Sequence, residues 1–500
     1  MSRIGVADLR EALLDADSFV SWDTSPAIPP MDDSYARQLA AAQAKTGRDE
    51  SVITGEGRVR GRRVAVIAGE FDFLAGSIGV AAAERLTSAV ERATAERLPL
   101  LASPCSGGTR MQEGTVAFLQ MVTIAAAVDM HKRAHLPYLV YLRHPTTGGV
   151  FASWGSLGHV TIAEPGALIG FLGPRVYEQL YGEAFPPGIQ TAENLQRHGV
   201  IDGVVPLGWI RRTLDRALKV LVDPPLPPPP PPVAEVVPDV PAWQSVLASR
   251  RPDRPGAWTL LRHGATERVL LSGGGVPGRA DTADGGAGAM LLALVRFGGQ
   301  PAVVLGQRRV EMVGPGALRE ARRGMALAAQ LRRPLVLVID TAGPALSVEA
   351  EEGGLAGEIA RCLADLVTLE VPTVSVLLGQ GSGGPALAMV PADRVLAAQH
   401  GWLAPLPPEG ASAIVFRDTA HAAEMAAAQG VRSVDLLRAG IVDAVVPEHP
   451  DAADEPIAFV KRLSRTIAHA LAALTSESGH AHRDERLRRY RHIGVGPHLR

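Results

Sequence analysis

Glycine-rich turns carry the chemistry this sequence can offer. Four of them, at Ser106 to Gly108 (SGG), Thr146 to Gly149 (TTGG), Thr341 to Gly343 (TAG) and Gly381 to Gly384 (GSGG), each end a strand-like apolar run and lead toward a helix-like one. Without a Cβ the backbone there can approach a ligand closely, and a helix start adds unpaired N–H groups and the positive end of the helix dipole. Such donors, converging from two successive strand–helix units, make an oxyanion hole suited to the enolate of a thioester. The alternative is that these glycines serve only tight turns and close helix–sheet packing, and residue types alone leave it open.

Side chains near the turns are few. Arg110, two residues after SGG, and Arg175 in GPR are the bases best placed to meet an anionic ligand, with a surface or inter-subunit ion pair as the alternative. Glu349, Glu351 and Glu352 follow TAG and suit an acid–base group, but a solvated helix N-terminus accounts for them as well. Cys105 reads as a small buried residue, since no partner base is evident, and His144 as a hydrogen-bonded structural histidine. No Ser-His-Asp ordering at a nucleophile elbow, no HExxH, no P-loop and no dinucleotide fingerprint occurs.

The elements that position these turns repeat. RLPLLASPCSGG lies opposite RRPLVLVIDTAG, and LPYLVYLRHPTTGG opposite VPTVSVLLGQGSGG. Gly108 pairs with Gly343 and Gly149 with Gly384, both at a separation of 235 (343 − 108 and 384 − 149), and HGVIDGVVP matches AGIVDAVVP with Asp202 opposite Asp443. The pattern predicts two like-folded α/β domains. In the first, an apolar strand at Tyr138 to Leu142 and helices over Ala81 to Arg97 and Thr115 to Lys132 flank the turns. Acidic, helix-like segments fill residues 1 to about 50, and Leu271 to Gly288 is a glycine-rich entry to the second domain. The expected boundaries are 1–223, a proline-rich spacer at 224–241 around Pro227 to Pro232, a second domain at 242–480, and a basic tail at 481–500.

Composition narrows the class. At 46% apolar and 4% aromatic residues, small side chains must do much of the packing, which favours closely approaching layers. A net charge of −2 argues against a nucleic-acid partner, and two cysteines allow neither a disulfide framework nor a four-cysteine metal site, as fits a reducing cytoplasm. Val371 to Ala392 lacks charge but is broken by prolines and glycines, so no membrane span is expected there.

These blocks resemble those of the biotin-dependent acyl-CoA carboxyltransferases. Residues 30–222 are similar to the β subunit of bacterial acetyl-CoA carboxylase through DESVITGEG, SGGTRMQEG, HPTTGGVFAS, IAEPGALIGFLGPRV and FPPGIQTAENL; residues 290–450 are similar to the α subunit through IDTAGP, AEEGGLAGEIA, GQGSGGPALAM, PPEGASAI and LLRAGIVDAVVPE. The chain looks like a β–α fusion. The resemblance implies a crotonase-like ββα-superhelix fold in each half, with acyl-CoA held mainly by the first and carboxybiotin mainly by the second. It further implies a homo-oligomer with its site at a dimer interface. Carried over by position, the N–H groups of Gly148 and Gly149 form one oxyanion hole and those around Gly383 and Gly384 the other, while Ser106, Gly107, Gly108, Arg110 and Arg175 line the acyl-CoA side.

The implied reaction transfers a carboxyl group from carboxybiotin to acetyl-CoA, giving malonyl-CoA for fatty acid synthesis, with another acyl-CoA or a malonyl-thioester decarboxylation as alternatives. Biotin itself belongs on a separate biotin carboxyl carrier protein, loaded by a biotin carboxylase, since the chain has no Met-Lys-Met site. Three departures stand out. The four-cysteine zinc ribbon of the bacterial β subunit is missing, so no metal is expected. Pro385 follows Gly384 where the motif usually carries Gly or Ala, and TAGPALSVEAEEGG replaces the usual TPGAYPG-type turn, so a catalytically dead scaffold is a further alternative.

Overall fold

The computed structural model describes residues 3–25, 32–232, 235–271, 287–475 and 479–494. Most of the glycine-rich entry expected at Leu271 to Gly288 lies outside them, as does the end of the basic tail. The chain divides into two compact units, Met1–Leu218 and Lys219–Arg500.

The first unit is built on a seven-stranded sheet. Strands β1 (Val52–Val59) and β2 (Arg62–Gly69) form an antiparallel hairpin whose two turn residues, Arg60 and Gly61, both have positive φ, as the twist of a two-residue hairpin requires. Next come helix α1 (Val80–Ala95), β3 (Leu100–Ser103), helix α2 (Gly114–Arg133), β4 (Tyr138–Leu142), the short helix α3 (Gly148–Phe151), β5 (Val160–Ala163) and helix α4 (Pro174–Tyr181). β2 through β5 run parallel in that order. β4 is buried along its whole length because a parallel strand is covered on both faces. On α1 the buried positions are largely Ala (Ala81, Ala82, Ala89 and Ala93 around Leu86 and Val90), so the helix lies close to the sheet and to α2. The N-terminal helix Val6–Leu13 buries Leu9 and Leu13 in the same unit.

The second unit repeats the plan. β6 (Met290–Phe297) and β7 (Gln300–Gln307) form the antiparallel hairpin, again with positive φ at both turn residues, Gly298 and Gly299. Helix α5 (Pro315–Leu331), β8 (Leu335–Thr341), helix α6 (Leu355–Val367), β9 (Thr373–Ser382), the short helix α7 (Gly383–Leu387) and β10 (Arg394–Ala398) follow, with β7 to β10 parallel. The duplicated aspartates do the same work in each unit. Asp202 Oδ2 accepts from Thr161 N at 2.7 Å, and Asp443 Oδ2 from Val395 N at 2.6 Å.

Two segments at the ends of the second unit are tied into it. The proline-rich spacer meets that unit at several points: Arg296 donates to Pro224 O at 3.0 Å as well as to the preceding carbonyls of Lys219 and Asp223, Glu235 pairs with His449, and Asp239 pairs with Arg432 at 2.6 Å. Proline cannot donate, but its carbonyl accepts, and a buried guanidinium collects those acceptors. The basic C-terminal segment contains helix α8 (Gly479–His492), and its Arg486 is buried on Asp393 and on the carbonyls of Leu366, Leu369 and Val371.

Candidate active site

In each unit the two glycine turns meet. In the first, a bridge joins Ser106 to Thr146, and Gly108 and Gly148 approach so closely that a Cβ on Gly148 would lie 3.5 Å from the Gly108 Cα. Their φ values are +121° and +63°. In the second unit Thr341 pairs with Gly381, and the corresponding φ values at Gly343 and Gly383 are +141° and +70°. The first turn of each pair is closed in the same way: Gly108 N donates to Ser106 Oγ at 3.0 Å, and Gly343 N to Thr341 Oγ1 at 3.1 Å. The duplicated sequence thus gives duplicated backbone geometry.

The donors differ from the sequence expectation at one position. Gly148 and Gly149 were expected to contribute jointly, but Gly148 N donates to Phe171 O at 2.9 Å. Gly149 and Val150, the second and third residues of α3, have no acceptor within their own helix, which leaves their N–H groups as the donors this turn can offer. Gly149 must be glycine for packing as well, because a Cβ would stand 3.1 Å from Thr109 Oγ1 and 3.4 Å from Met121 Cγ. In the second unit Gly384 takes the place of Gly149, packed against Ile359, and Pro385 takes that of Val150. Proline has no N–H, so the second turn has one amide fewer.

Arg110 does not line an open site. Its guanidinium is 1% exposed and is held by Glu50: Nη1 donates to Glu50 Oε2 at 2.9 Å, Nη2 to Oε1, with further bonds to Ser77 O (2.7 Å), Ser51 Oγ (3.1 Å) and Tyr35 Oη (3.2 Å). The expectation that it meets an anionic ligand is therefore replaced: every arm of the guanidinium is spent inside the fold. Glu113 of the same block accepts from Val80 N at 2.6 Å at the start of α1 and from Tyr35 Oη. Burial and the Glu113 bond push the Tyr35 hydroxyl up to about 12. The SGGTRMQEG block is thus a brace that fixes the SGG turn. Arg175 is different, being exposed near the start of α4.

The remaining candidates resolve simply. Cys105 is buried, donates from Sγ to His144 O, and is pushed up to about 11 by burial, which disfavours a thiolate. His144 accepts from Leu168 N at Nδ1, and burial lowers its pKa, so it is a neutral structural group. Glu349, Glu351 and Glu352 are exposed on a helix capped by Ser347. Among the described residues no group of His, Cys, Asp and Glu is arranged to hold a metal ion.

Several supporting residues were not visible in the sequence. Arg143, fully buried after β4, binds Ser103 Oγ at 2.9 Å and the carbonyls of Ser103 and Gly69. In the second unit Gln307 bridges the two turns, donating to Pro385 O at 2.8 Å and accepting from Asp340 N at 3.2 Å. Asp340 accepts from Arg309 at 2.8 and 3.0 Å and from Gln380 N at 3.1 Å, while burial pushes its carboxyl up. A polar residue inside an otherwise apolar strand end, as in LVLVID, is the signal that could have found Asp340.

Comparison with known proteins gives a consistent picture. The model of the carboxyl transferase domain matches residues 8–484. A protein of Mycobacterium tuberculosis described as a probable biotin-dependent acyl-coenzyme A carboxylase beta3 subunit is 72% identical, over 99% of both chains. The acetyl-coenzyme A carboxylase carboxyl transferase subunits beta/alpha of Salinispora arenicola are 36% identical, over 99% of this chain and 91% of theirs. Among solved structures, the transcarboxylase 12S hexamer with methylmalonyl-coenzyme A and methylmalonic acid superposes with a TM-score of 0.74 at 21% identity, over 95% of this chain and 90% of the other. A single-chain, multi-domain long-chain acyl-CoA carboxylase gives 0.69 at 18% identity, over 91% of this chain and 46% of the other. The likeness extends to the crotonase-like fold of each unit.

Proposed function

The chain belongs to the carboxyl transferase family, and on that premise we propose that it is the carboxyltransferase component of a biotin-dependent acyl-CoA carboxylase. The observation that carries this reading is the pair of matched backbone turns, one per unit, each offering N–H donors; among the described residues the carboxylate beside the second turn, Asp340, is already engaged by Arg309 and Gln380 N. Such turns suit a reaction with two anionic oxygens to stabilise. When bound, carboxybiotin on its carrier protein supplies the carboxyl group and the nitrogen that takes up the α-proton.

The chain's own residues do the rest. Gly149 N–H, with Val150 N–H behind it, holds the thioester oxygen as it becomes an enolate, and Gly384 N–H holds the anionic oxygen on the donor side. Gly107 and Gly108 lie beside the first hole, their backbone fixed by Ser106, Ala75 and the Arg110–Glu50 brace. Arg175, exposed on α4, is available to an anionic part of the acyl-CoA.

For the acyl group we propose acetyl-CoA, in line with the beta/alpha relatives, with propionyl-CoA as the second reading, favoured by the methylmalonyl-CoA seen in the transcarboxylase. We further propose a cytoplasmic homo-oligomer. α2 presents Val116, Phe118, Leu119 and Val122 to solvent, an apolar strip that another copy of the chain would cover. The test is forward carboxylation with ATP, bicarbonate, biotin carboxylase and biotinylated carrier protein over an acetyl-, propionyl-, butyryl- and long-chain acyl-CoA series. Acetyl-CoA as the best substrate supports the first reading, propionyl-CoA the second, and failure of every acyl-CoA rejects both.

A further inference from the structure

The second glycine turn has proline where the first has Val150, and it contains a buried hydroxyl with no hydrogen-bond partner among the described residues. Within the four turns the other side-chain hydroxyls are all engaged. Ser106 Oγ bonds Gly108 N and O, Thr146 Oγ1 bonds the Pro104 and Arg143 carbonyls, Thr147 Oγ1 reaches Ser106 O at 3.5 Å, and Thr341 Oγ1 bonds Gly343 N and O. Ser382 Oγ is fully buried and has no hydrogen-bond partner among the described residues. By the 235-residue repeat it is the counterpart of Thr147 (382 − 147), immediately before the glycine pair.

Its position connects it with the missing donor. Ser382 Oγ lies 3.7 Å from where a Cβ on Gly343 would stand, an ordinary contact distance, so the hydroxyl faces Gly343 across the gap between the TAG and GSGG turns, and it is the φ of +141° that favours glycine there. Pro385, which has taken the N–H of the Val150 position, is itself held firmly: it is buried and its carbonyl accepts from Gln307 Nε2 at 2.8 Å. The turn has therefore kept its shape while losing a donor. A buried hydroxyl without a partner is rare and unfavourable, and a ligand oxygen entering the gap would satisfy it.

We propose that the Ser382 hydroxyl is a catalytic donor, standing in for the amide absent at Pro385 and hydrogen-bonding, together with Gly384 N–H, the anionic oxygen held at the second turn. The proposal rests on the carboxyltransferase reading above and assigns that oxygen to the ureido group of the biotin donor. Ser382 donates its proton into a hydrogen bond only, and no covalent bond forms or breaks at the side chain.

The experiment is transfer from malonyl-CoA to free biocytin by the full chain, with Ser382→Ala, Ser382→Thr, Pro385→Ala and the double variant Ser382→Ala/Pro385→Ala. Thermal unfolding and malonyl-CoA titration are run alongside. Loss of one such donor costs on the order of 10²-fold in kcat. Ser382→Ala is expected to show that loss with malonyl-CoA affinity within about twofold of the parent, while Ser382→Thr keeps most of the activity. Pro385→Ala restores an N–H, so the double variant is expected to recover at least about tenfold over Ser382→Ala, which a packing role for Ser382 would not produce. Parental activity in Ser382→Ala, or a loss that Pro385→Ala does not relieve, would overturn the proposal alone. An unmodified chain that transfers nothing to biocytin would overturn the carboxyltransferase reading and this proposal with it.

Discussion

Replacing Arg110 separates a brace from a ligand-binding group. In the fold its guanidinium is nearly inaccessible, and both Nη atoms bond the Glu50 carboxylate, which is itself only 2% exposed. Arg110→Ala would leave that carboxylate buried with its counter-charge gone, and would release Ser77 O, Ser51 Oγ and Tyr35 Oη as well. Breaking one side of a buried pair costs about 3–5 kcal/mol, because the remaining charge must be desolvated without compensation. For a domain of this size each kcal/mol moves the midpoint by roughly 2–4 °C, so the first unit should melt roughly 6–20 °C lower. The double change Arg110→Met/Glu50→Gln removes both charges and should recover much of the loss, since a neutral isostere pair is often as stable as the ion pair. The assays are calorimetry for the melting of the first unit and titration of the folded variants with acyl-CoA. Arg110→Ala that melts with the parent but binds acyl-CoA tenfold more weakly would refute the brace and return Arg110 to the ligand.

Other consequences are as direct. Gly149→Ala places a Cβ 3.1 Å from Thr109 Oγ1 and shifts the amide; kcat for carboxyl transfer should fall on the order of 10²-fold, measured against an unchanged far-ultraviolet spectrum. His131 is buried with Nδ1 on Thr94 Oγ1 and is held down at about 4 by burial. Its folded pKa lies below the unfolded one, so the unfolded chain binds the proton first as pH falls from about 6.5 to about 4. Stability should drop by up to about 3 kcal/mol over that window in urea titrations, and His131→Gln should flatten the drop. Arg486→Ala, or truncation before Gly479, strands the buried Asp393 carboxylate and should destabilise the second unit by about 3–5 kcal/mol in denaturant unfolding, with the first unit unaffected.

Much of this architecture can be read from the residues. Apolar strands that end in glycine are unmistakable at LPYLVYL and LVLVID, and the constant 235-residue offset predicts that Gly108 and Gly343, or Gly148 and Gly383, adopt like conformations, as their φ values show. The turns are legible because their chemistry is backbone chemistry and depends on local spacing. What escaped depends on distant partners. Arg110 looks like a ligand contact because Glu50 is 60 residues away, and only the sheet brings them together. The prolines at 227–232 describe a local conformation, yet the preceding carbonyls belong to Arg296, about 70 residues on. The basic C-terminal segment reads from its charge as a solvated or interface helix, and which of its arginines is buried depends on four distant acceptors around Arg486. Which amide at TTGG is already taken, and which hydroxyl at GSGG is not, depends on Phe171 and on Ser382 Oγ having no hydrogen-bond partner among the described residues, neither of which sequence spacing encodes.

The central claim is that two backbone turns, without a side-chain base, serve carboxyl transfer between biotin and an acyl-CoA. Its most direct test is the reverse half-reaction, malonyl-CoA or methylmalonyl-CoA with biocytin and the purified chain alone, followed as the decarboxylated acyl-CoA formed. The account predicts product only when biocytin is present, rising to saturation with it. Product released at the same rate without biocytin would contradict the account and make the chain a malonyl-thioester decarboxylase.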